Sequence, residues 1–205
     1  MTQKKRPFIV GVGGTTRAGS STEKALKISL AAAQAQGAEV ALIAGPELDL
    51  PMYNPSTPER APGAERLLTL LRRCDGVILA SPAYHGSISG LMKNTLDYVA
   101  DMQEDDRVYF DGVAVGLIAT AGGWQGAVQT LATMRTIVHA LRGWPTPMGA
   151  ALNTALPLFD ANGQCTDLSS KFQLETVGQQ VMQFCRMCSS PMPSVVMPSP
   201  SSQSV

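Results

Sequence analysis

Phe8-Ile9-Val10-Gly11-Val12-Gly13-Gly14-Thr15-Thr16-Arg17-Ala18-Gly19-Ser20-Ser21-Thr22 joins a short apolar run to a cluster of glycines, hydroxyls and one arginine. The run Phe8 to Gly13 carries no polar alternation and ends in glycines, which predicts a strand buried on both faces. From Ser20 to Gln36, Ala, Leu and Ile recur at helical spacing. Ser20 to Thr22 supply capping hydroxyls at its start, and Gly37 ends it. A buried strand, a glycine turn and a helix form the first half of a βαβ unit.

Outward from this stretch the alternation continues. Val40 to Ala44 reads as a second strand, and the proline-rich segment Gly45 to Gly63 as a long loop. Ala64 to Cys74 has helical spacing, and Gly76 to Ala80 is again a buried strand. Helix is predicted over Leu91 to Val99, strand over Val113 to Ala119, and helix over Gln125 to Leu141. A last strand falls within Pro147 to Leu152, followed by a closing helix from Ser169 to Met187. Five strands alternating with about five helices predict an α/β protein: a doubly wound, five-stranded parallel sheet with helices on both faces. Residues 1–188 are expected to form one domain. Residues 189–205 are Pro/Ser-rich and aperiodic, which predicts a disordered tail whose removal is tolerated.

Composition narrows the function. Sixteen basic residues balance sixteen acidic ones, so no overall field draws the chain to nucleic acid or an anionic membrane. The polar, basic start from Met1 to Pro7 leads into an apolar run too short for a signal peptide or anchor, so a cytoplasmic location is expected. Four cysteines in a chain of this length need not be disulfide staples. Cys185 and Cys188 form a CxxC pair within a predicted helix, without a second pair or a nearby His; a structural role is expected, and no metal site is assigned.

The loop Gly13 to Thr22 is the first candidate site. Backbone amides at a helix N-terminus favour an anion, the hydroxyls of Thr15, Ser20, Ser21 and Thr22 add donors, and Arg17 supplies a charged planar fork. A tight turn and a helix cap would use the same residues. Gly14-x4-Gly19 is followed by Ser20-Ser21 with no lysine, which argues against a nucleoside triphosphate site. The dinucleotide fingerprint also fails, since Thr16 stands at its third glycine and no acid ends the second strand. A single terminal phosphate fits better.

Two further loops follow strand ends: Ser81-Pro82-Ala83-Tyr84-His85-Gly86-Ser87 and Thr120-Ala121-Gly122-Gly123-Trp124-Gln125-Gly126. Together with the first loop they resemble the NADPH-dependent FMN reductase family of flavodoxin-like proteins, over roughly Phe8 to Gly126. That family's first loop runs Gly-Ser-x-Arg-x-Gly-Ser-x-Asn, matched here from Gly14 to Thr22 with Thr22 in place of Asn. Its second reads Pro-x-Tyr-x-Gly-Ser, matched by Pro82, Tyr84, Gly86 and Ser87; Ala83 and His85 occupy its variable places. The third resembles the glycine-rich turn beside the flavin pyrimidine.

The resemblance implies FMN as cofactor, with phosphate contacts from Thr15, Arg17, Ser20 and Thr22 and with Ser21 among the cofactor-binding residues. It places the ring along Pro82, Ala83, Tyr84, His85, Gly86 and Ser87, with Thr120, Gly122 and Gly123 at its edge. It further implies NADPH or NADH as donor, a small-molecule electron acceptor, and a homodimer or homotetramer. No catalytic side chain is assigned, because hydride transfer between nicotinamide and flavin needs no obligatory side-chain acid or base. His85 reads as a rim imidazole. Trp124 either covers the flavin or substrate, or fills a gap beneath its loop. Lys93 and Asp97, one helical turn apart, read as a surface pair. The alternative function is a flavodoxin-type electron carrier, although such carriers are typically strongly acidic, or a flavin-binding regulator of the same fold without NAD(P)H activity of its own.

Overall fold

The computed structural model describes residues 6–188. Strand β1 (Phe8–Gly13) is buried along its whole length, and helix α1 (Ser21–Ala35) follows it. Next come β2 (Glu39–Ile43), α2 (Pro62–Arg73), β3 (Gly76–Tyr84), the two-residue β4 (Ser87–Ile88) and α3 (Gly90–Asp97). The chain continues through β5 (Ala114–Ala121), α4 (Trp124–Ala140), β6 (Trp144–Asn153) and α5 (Leu168–Cys188). The predicted Pro/Ser-rich tail, 189–205, lies outside the described residues.

Five strands pair in parallel in the order β2-β1-β3-β5-β6, and β4 folds back antiparallel on β3. Alternate residues of the central strands β1, β3 and β5 supply two separate cores. Val10, Val12, Val77, Leu79, Val115 and Leu117 face α2, α3 and α4 through Leu67, Leu71, Met92, Met134 and Val138. Ile9, Ile78, Ala80, Ala114 and Ile118 face α1 and α5 through Leu26, Leu174, Val177 and Val181. Burial on both faces is why these central strands read as continuous apolar runs. Helices α1 and α5 touch closely: a Cβ on Gly178 would lie 2.0 Å from the Ser29 carbonyl oxygen, and the Ser29 hydroxyl donates to the Leu174 carbonyl at 2.6 Å.

The expected doubly wound sheet is present, with three informative differences in its boundaries. Strand β3 continues past Ala80 because Ser81 and Pro82 stay in register with Ala119 and Thr120 of β5. The segment 45–63 contains a 3-10 turn at Gly45–Leu48, and α2 starts at Pro62, where a missing amide costs nothing. Strand β6 begins at Trp144, earlier than its prolines suggest. It lies at the sheet edge, where proline is tolerated, and it bulges between the pairs Val115–Pro145 and Leu117–Gly149. The bulge's carbonyls at Thr146 and Pro147, freed from the ladder, accept from the Arg135 guanidinium at 3.1 Å each, and its Met148 amide donates to the Gln180 side chain at 2.8 Å.

The long segment 45–63 is held against α3 and the 3-10 turn that follows it, Tyr98–Met102. Asn94 accepts from the Tyr53 amide at 2.8 Å and donates to the Pro51 carbonyl at 2.9 Å. Arg60 clasps Asp101 through two hydrogen bonds of 2.6 and 2.8 Å, and its guanidinium lies 5.0 Å from the Tyr53 ring centroid. The Arg60 hydrogen bond holds the Asp101 carboxyl below the usual aspartate range. Burial, followed by Asp101, pushes the Tyr53 phenol up.

Of the CxxC pair, Cys185 is buried and donates to the Asp75 carbonyl at 3.1 Å, while Cys188 is exposed. Burial pushes the Cys185 thiol up to about 12, with Asp75 adding to the effect, so it is a poor nucleophile at neutral pH. Lys93 and Asp97 form the expected exposed pair, 2.5 Å apart. No helix of the described residues is long and apolar enough to cross a membrane.

Candidate active site

Chain order reverses between β1 and β3: β2 lies on one side of β1 and β3 on the other. In open α/β sheets, ligands bind beyond the carboxyl ends of the strands at such a point. The three candidate loops leave β1, β3 and β5, which are consecutive in the sheet, so they meet at one crevice.

The first loop can turn there because of Gly13. Its φ is +152°, and a Cβ at this position would lie 2.0 Å from the Ala80 carbonyl oxygen. Only glycine permits that approach of β1 to β3. The next amide, Gly14, donates to the same carbonyl at 3.2 Å. Thr15, half-buried, accepts from the Arg17 amide through its hydroxyl at 3.2 Å, a local turn that leaves the Arg17 side chain exposed.

Ser20 caps α1, accepting from the Glu23 amide at 3.3 Å, and is almost fully buried. Glu23 reaches back to accept from the Gly19 amide at 2.9 Å and pairs with Lys27 at 2.6 Å. Burial opposes its ionisation, yet the Lys27 and Gly19 contacts prevail and hold its carboxyl below the usual glutamate range. This loop-fixing carboxylate was not among the sequence candidates. The pattern Ser20-x-x-Glu23 is a capping-box signal that points to it.

Ser21 is half-buried at the first helical position and lines a small cavity of about 150 Å³ with Lys24, Thr154 and Phe159. Thr22 turns inward: its hydroxyl lies 2.6 Å from that of Thr120, and both residues are buried. These two sequence candidates therefore tie the first loop to the third through their side chains. The amides of Ser21 and Thr22, in the first turn of α1, have no acceptor within the helix and remain suited to an anion.

In the second loop Pro82 is buried and Ala83 half-buried, whereas Tyr84, His85, Gly86 and Ser87 are exposed. Tyr84 pairs with Ser87 across a two-residue turn whose centre, His85 and Gly86, has φ of 53° and 83°. Positive φ at both positions is the hairpin geometry that matches strand twist, which explains the glycine. The buried Ser81 hydroxyl accepts from the Ser89 amide at 3.1 Å and donates to the Pro82 carbonyl at 2.8 Å, fixing the hairpin's base. His85 is exposed at the tip of this turn.

The third loop presents exposed Gly122 and half-buried Gly123, where an added Cβ would meet nothing within 4 Å. Both glycines thus leave open space above the crevice, as a flat ring requires. Gly126, in the first turn of α4, lies close to the second loop, since a Cβ there would be 3.8 Å from the Ala83 methyl. Trp124 opens that turn with 52% of its surface exposed, so it does not fill a gap beneath the loop. A fourth strand end also contributes: the Thr154 amide and hydroxyl, just past β6, donate to the Ala121 carbonyl at 2.7 and 3.0 Å. Sequence alone offered no signal for that contact.

Amides and an arginine at one end of the crevice, and open glycine-rich backbone at the other, form a donor set that fits a phosphate joined to a planar ring. A curated NADPH azoreductase of Bacillus sp. (strain OY1-2) is 37% identical over 87 residues, 42% of this chain and 46% of the relative. The FMN-dependent NADPH-azoreductase of Staphylococcus aureus is 32% identical over 128 residues, 62% of this chain and 64% of that one. The chain therefore spans between about half and two thirds of these relatives' lengths.

Among solved structures, FerB, a flavoenzyme NAD(P)H:(acceptor) oxidoreductase from Paracoccus denitrificans, aligns with a TM-score of 0.70 at 21% identity, covering 88% of this chain and 98% of FerB. A flavodoxin, WrbA-like protein from Agrobacterium tumefaciens aligns with a TM-score of 0.61 at 15% identity, over 89% and 99% of the two chains. These likenesses establish a flavodoxin-like fold. The profile of NADPH-dependent FMN reductases matches residues 7–156, the whole span from the first strand to the loop beyond the last, and the chain belongs to that family.

Proposed function

We propose that this protein is an NAD(P)H-dependent, FMN-binding oxidoreductase that passes electrons to a small-molecule acceptor. The observation that carries the reading is the convergence of three loops on the ends of the adjacent strands β1, β3 and β5, with anion donors on the first and open glycines on the third. When bound, FMN supplies the hydride chemistry that no side chain of the site provides.

The chain's own residues would bind and orient it. Arg17 and the first-turn amides of α1 take the phosphate, while Glu23 and Ser20 hold their loop in shape. Thr15 and Ser21 line that end, and Thr22 and Thr120 brace it from below. Pro82, Ala83, Tyr84, His85, Gly86 and Ser87 run along the ring, and Gly122 and Gly123 admit backbone approach to its edge. A quinone, an azo compound, a free flavin or a metal ion would serve as acceptor. A cytoplasmic homodimer or homotetramer completes the reading, in keeping with the family.

Anaerobic reduction tests it. Purified protein with FMN is expected to bleach the flavin band with matching loss of NADPH or NADH absorbance. Binding of FMN without reduction by either donor would make the chain an electron carrier or a flavin-binding regulator instead, and no binding would remove the site assignment altogether.

A further inference from the structure

We infer that Trp124 is a stacking platform for the electron acceptor and selects uncharged, planar aromatic molecules over small ionic ones. The inference rests on the flavin reading above and adds to it the acceptor's chemical class and the residue that recognises it.

Trp124 is the first helical residue of α4, directly after the glycine turn that closes β5. Side chains in a helix lean toward its N-terminus, so the indole is carried toward the crevice and away from the body of the sheet. It is 52% exposed, which leaves the indole available to a ligand. The first turn of α4 sits over the second loop, through the approach of Gly126 to Ala83. Tyr84, on the hairpin that ends the neighbouring strand β3, is another exposed aromatic. Two large exposed aromatics thus rise from neighbouring strand ends at the ring end of the site.

Charge separates the acceptor classes. Neither 81–89 nor 120–126 contains Asp, Glu, Lys or Arg, and 153–158 beside them contains none either. The only formal charge in the first loop through Thr22 is Arg17 at the phosphate end. An oxyanion or a charged metal complex finds no fixed counter-charge on these ring-end loops. A neutral planar molecule finds an indole face, and aromatic stacking is worth about tenfold in affinity.

FMN-loaded wild type, Trp124→Ala and Trp124→Phe would be assayed with saturating NADPH against menadione, planar and uncharged, and ferricyanide, small and anionic. The Ala variant is expected to raise KM for menadione about tenfold with little change in kcat, the Phe variant to restore it, and KM for ferricyanide to stay constant. Calorimetry with coumarin, planar and not reduced, gives a readout independent of turnover: the oxidised, FMN-loaded Ala variant should bind it about tenfold more weakly than wild type.

Equal shifts for both acceptors, or unchanged coumarin binding, would overturn the inference. So would dissociation of an oligomer in the Ala variant by sedimentation, which would assign Trp124 to a contact between copies. If wild type fails to bleach FMN with either donor, the reductase reading falls by itself. Coumarin binding by wild type but not by the Ala variant still decides the platform.

Discussion

The hydroxyls of Thr22 and Thr120 lie 2.6 Å apart in the buried space beneath the candidate site, although 98 residues separate them in sequence. One belongs to the first turn of α1 and the other to the end of β5, so a single hydrogen bond joins the segment after β1 to the glycine turn after β5. Replacing either threonine by valine strands the other hydroxyl in a buried place. Each single variant should lose about 1–3 kcal/mol, and the double variant less than the sum. Urea unfolding of the four proteins measures this; strictly additive losses would mean that the two hydroxyls do not cooperate.

Arg17 is exposed, and no fold contact depends on its side chain among the described residues. Arg17→Ala should therefore leave the melting temperature nearly unchanged while weakening FMN binding about ten- to a hundredfold, the scale of a lost charge-assisted hydrogen bond. Fluorescence titration of FMN tests it, and equal affinity would remove Arg17 from the phosphate site.

Glu23 acts through geometry, since its carboxylate holds the Gly19 amide and Lys27. Glu23→Ala frees the loop and is expected to reduce both stability, by about 1 kcal/mol for the lost cap contact, and FMN affinity. Glu23→Gln retains an acceptor for Gly19 and should recover most of the loss. If Gln and Ala behave alike in FMN titrations, the ion pair with Lys27 matters more than the loop contact.

Acid should loosen the long segment 45–63 from the 3-10 turn Tyr98–Met102. The folded Asp101 carboxyl titrates below its ordinary value near 3.8, chiefly because it accepts from Arg60. A depressed carboxyl contributes its stability in full above the unfolded value and loses it as pH falls through the folded one. Melting temperatures followed from pH 6 down to pH 3 should drop less steeply at the acid end in Asp101→Asn than in wild type, and parallel curves would refute the assignment. At neutral pH, Asp101→Asn is expected to melt lower than wild type.

Gly178 permits the contact between α1 and α5. Its alanine variant would force a methyl group to within 2.0 Å of the Ser29 carbonyl oxygen unless the helices part, so a loss of about 1–3 kcal/mol is expected despite alanine's higher helix propensity. A stabilised Gly178→Ala protein, by thermal melting, would show that the helices move apart at little cost.

The sheet was legible because its central strands are buried on both faces. Phe8 to Gly13 and Gly76 to Ala80 could only be short apolar runs, and the helices between them carry apolar positions at the helical period. The three site loops were legible for a related reason: glycine and hydroxyl clusters after strand ends are local chemistry, and Gly13, Ser20 and the His85-Gly86 turn obey local rules of φ and capping. Strand β6 was read too short, because its prolines mimic a loop until the sheet edge is known to lie there.

The sequence by itself determined the alternation, the order of the loops and the residue types at each. Only the tertiary structure decided which way those residues face: that Thr22 meets Thr120 instead of pointing outward, that Thr154 closes on Ala121, and that Trp124 stands exposed. Orientation depends on which distant segments share a space, and that follows from strand order. Periodicity and local propensity register only neighbours along the chain, so contacts across 98 residues or between the ends of β5 and β6 leave no trace in either.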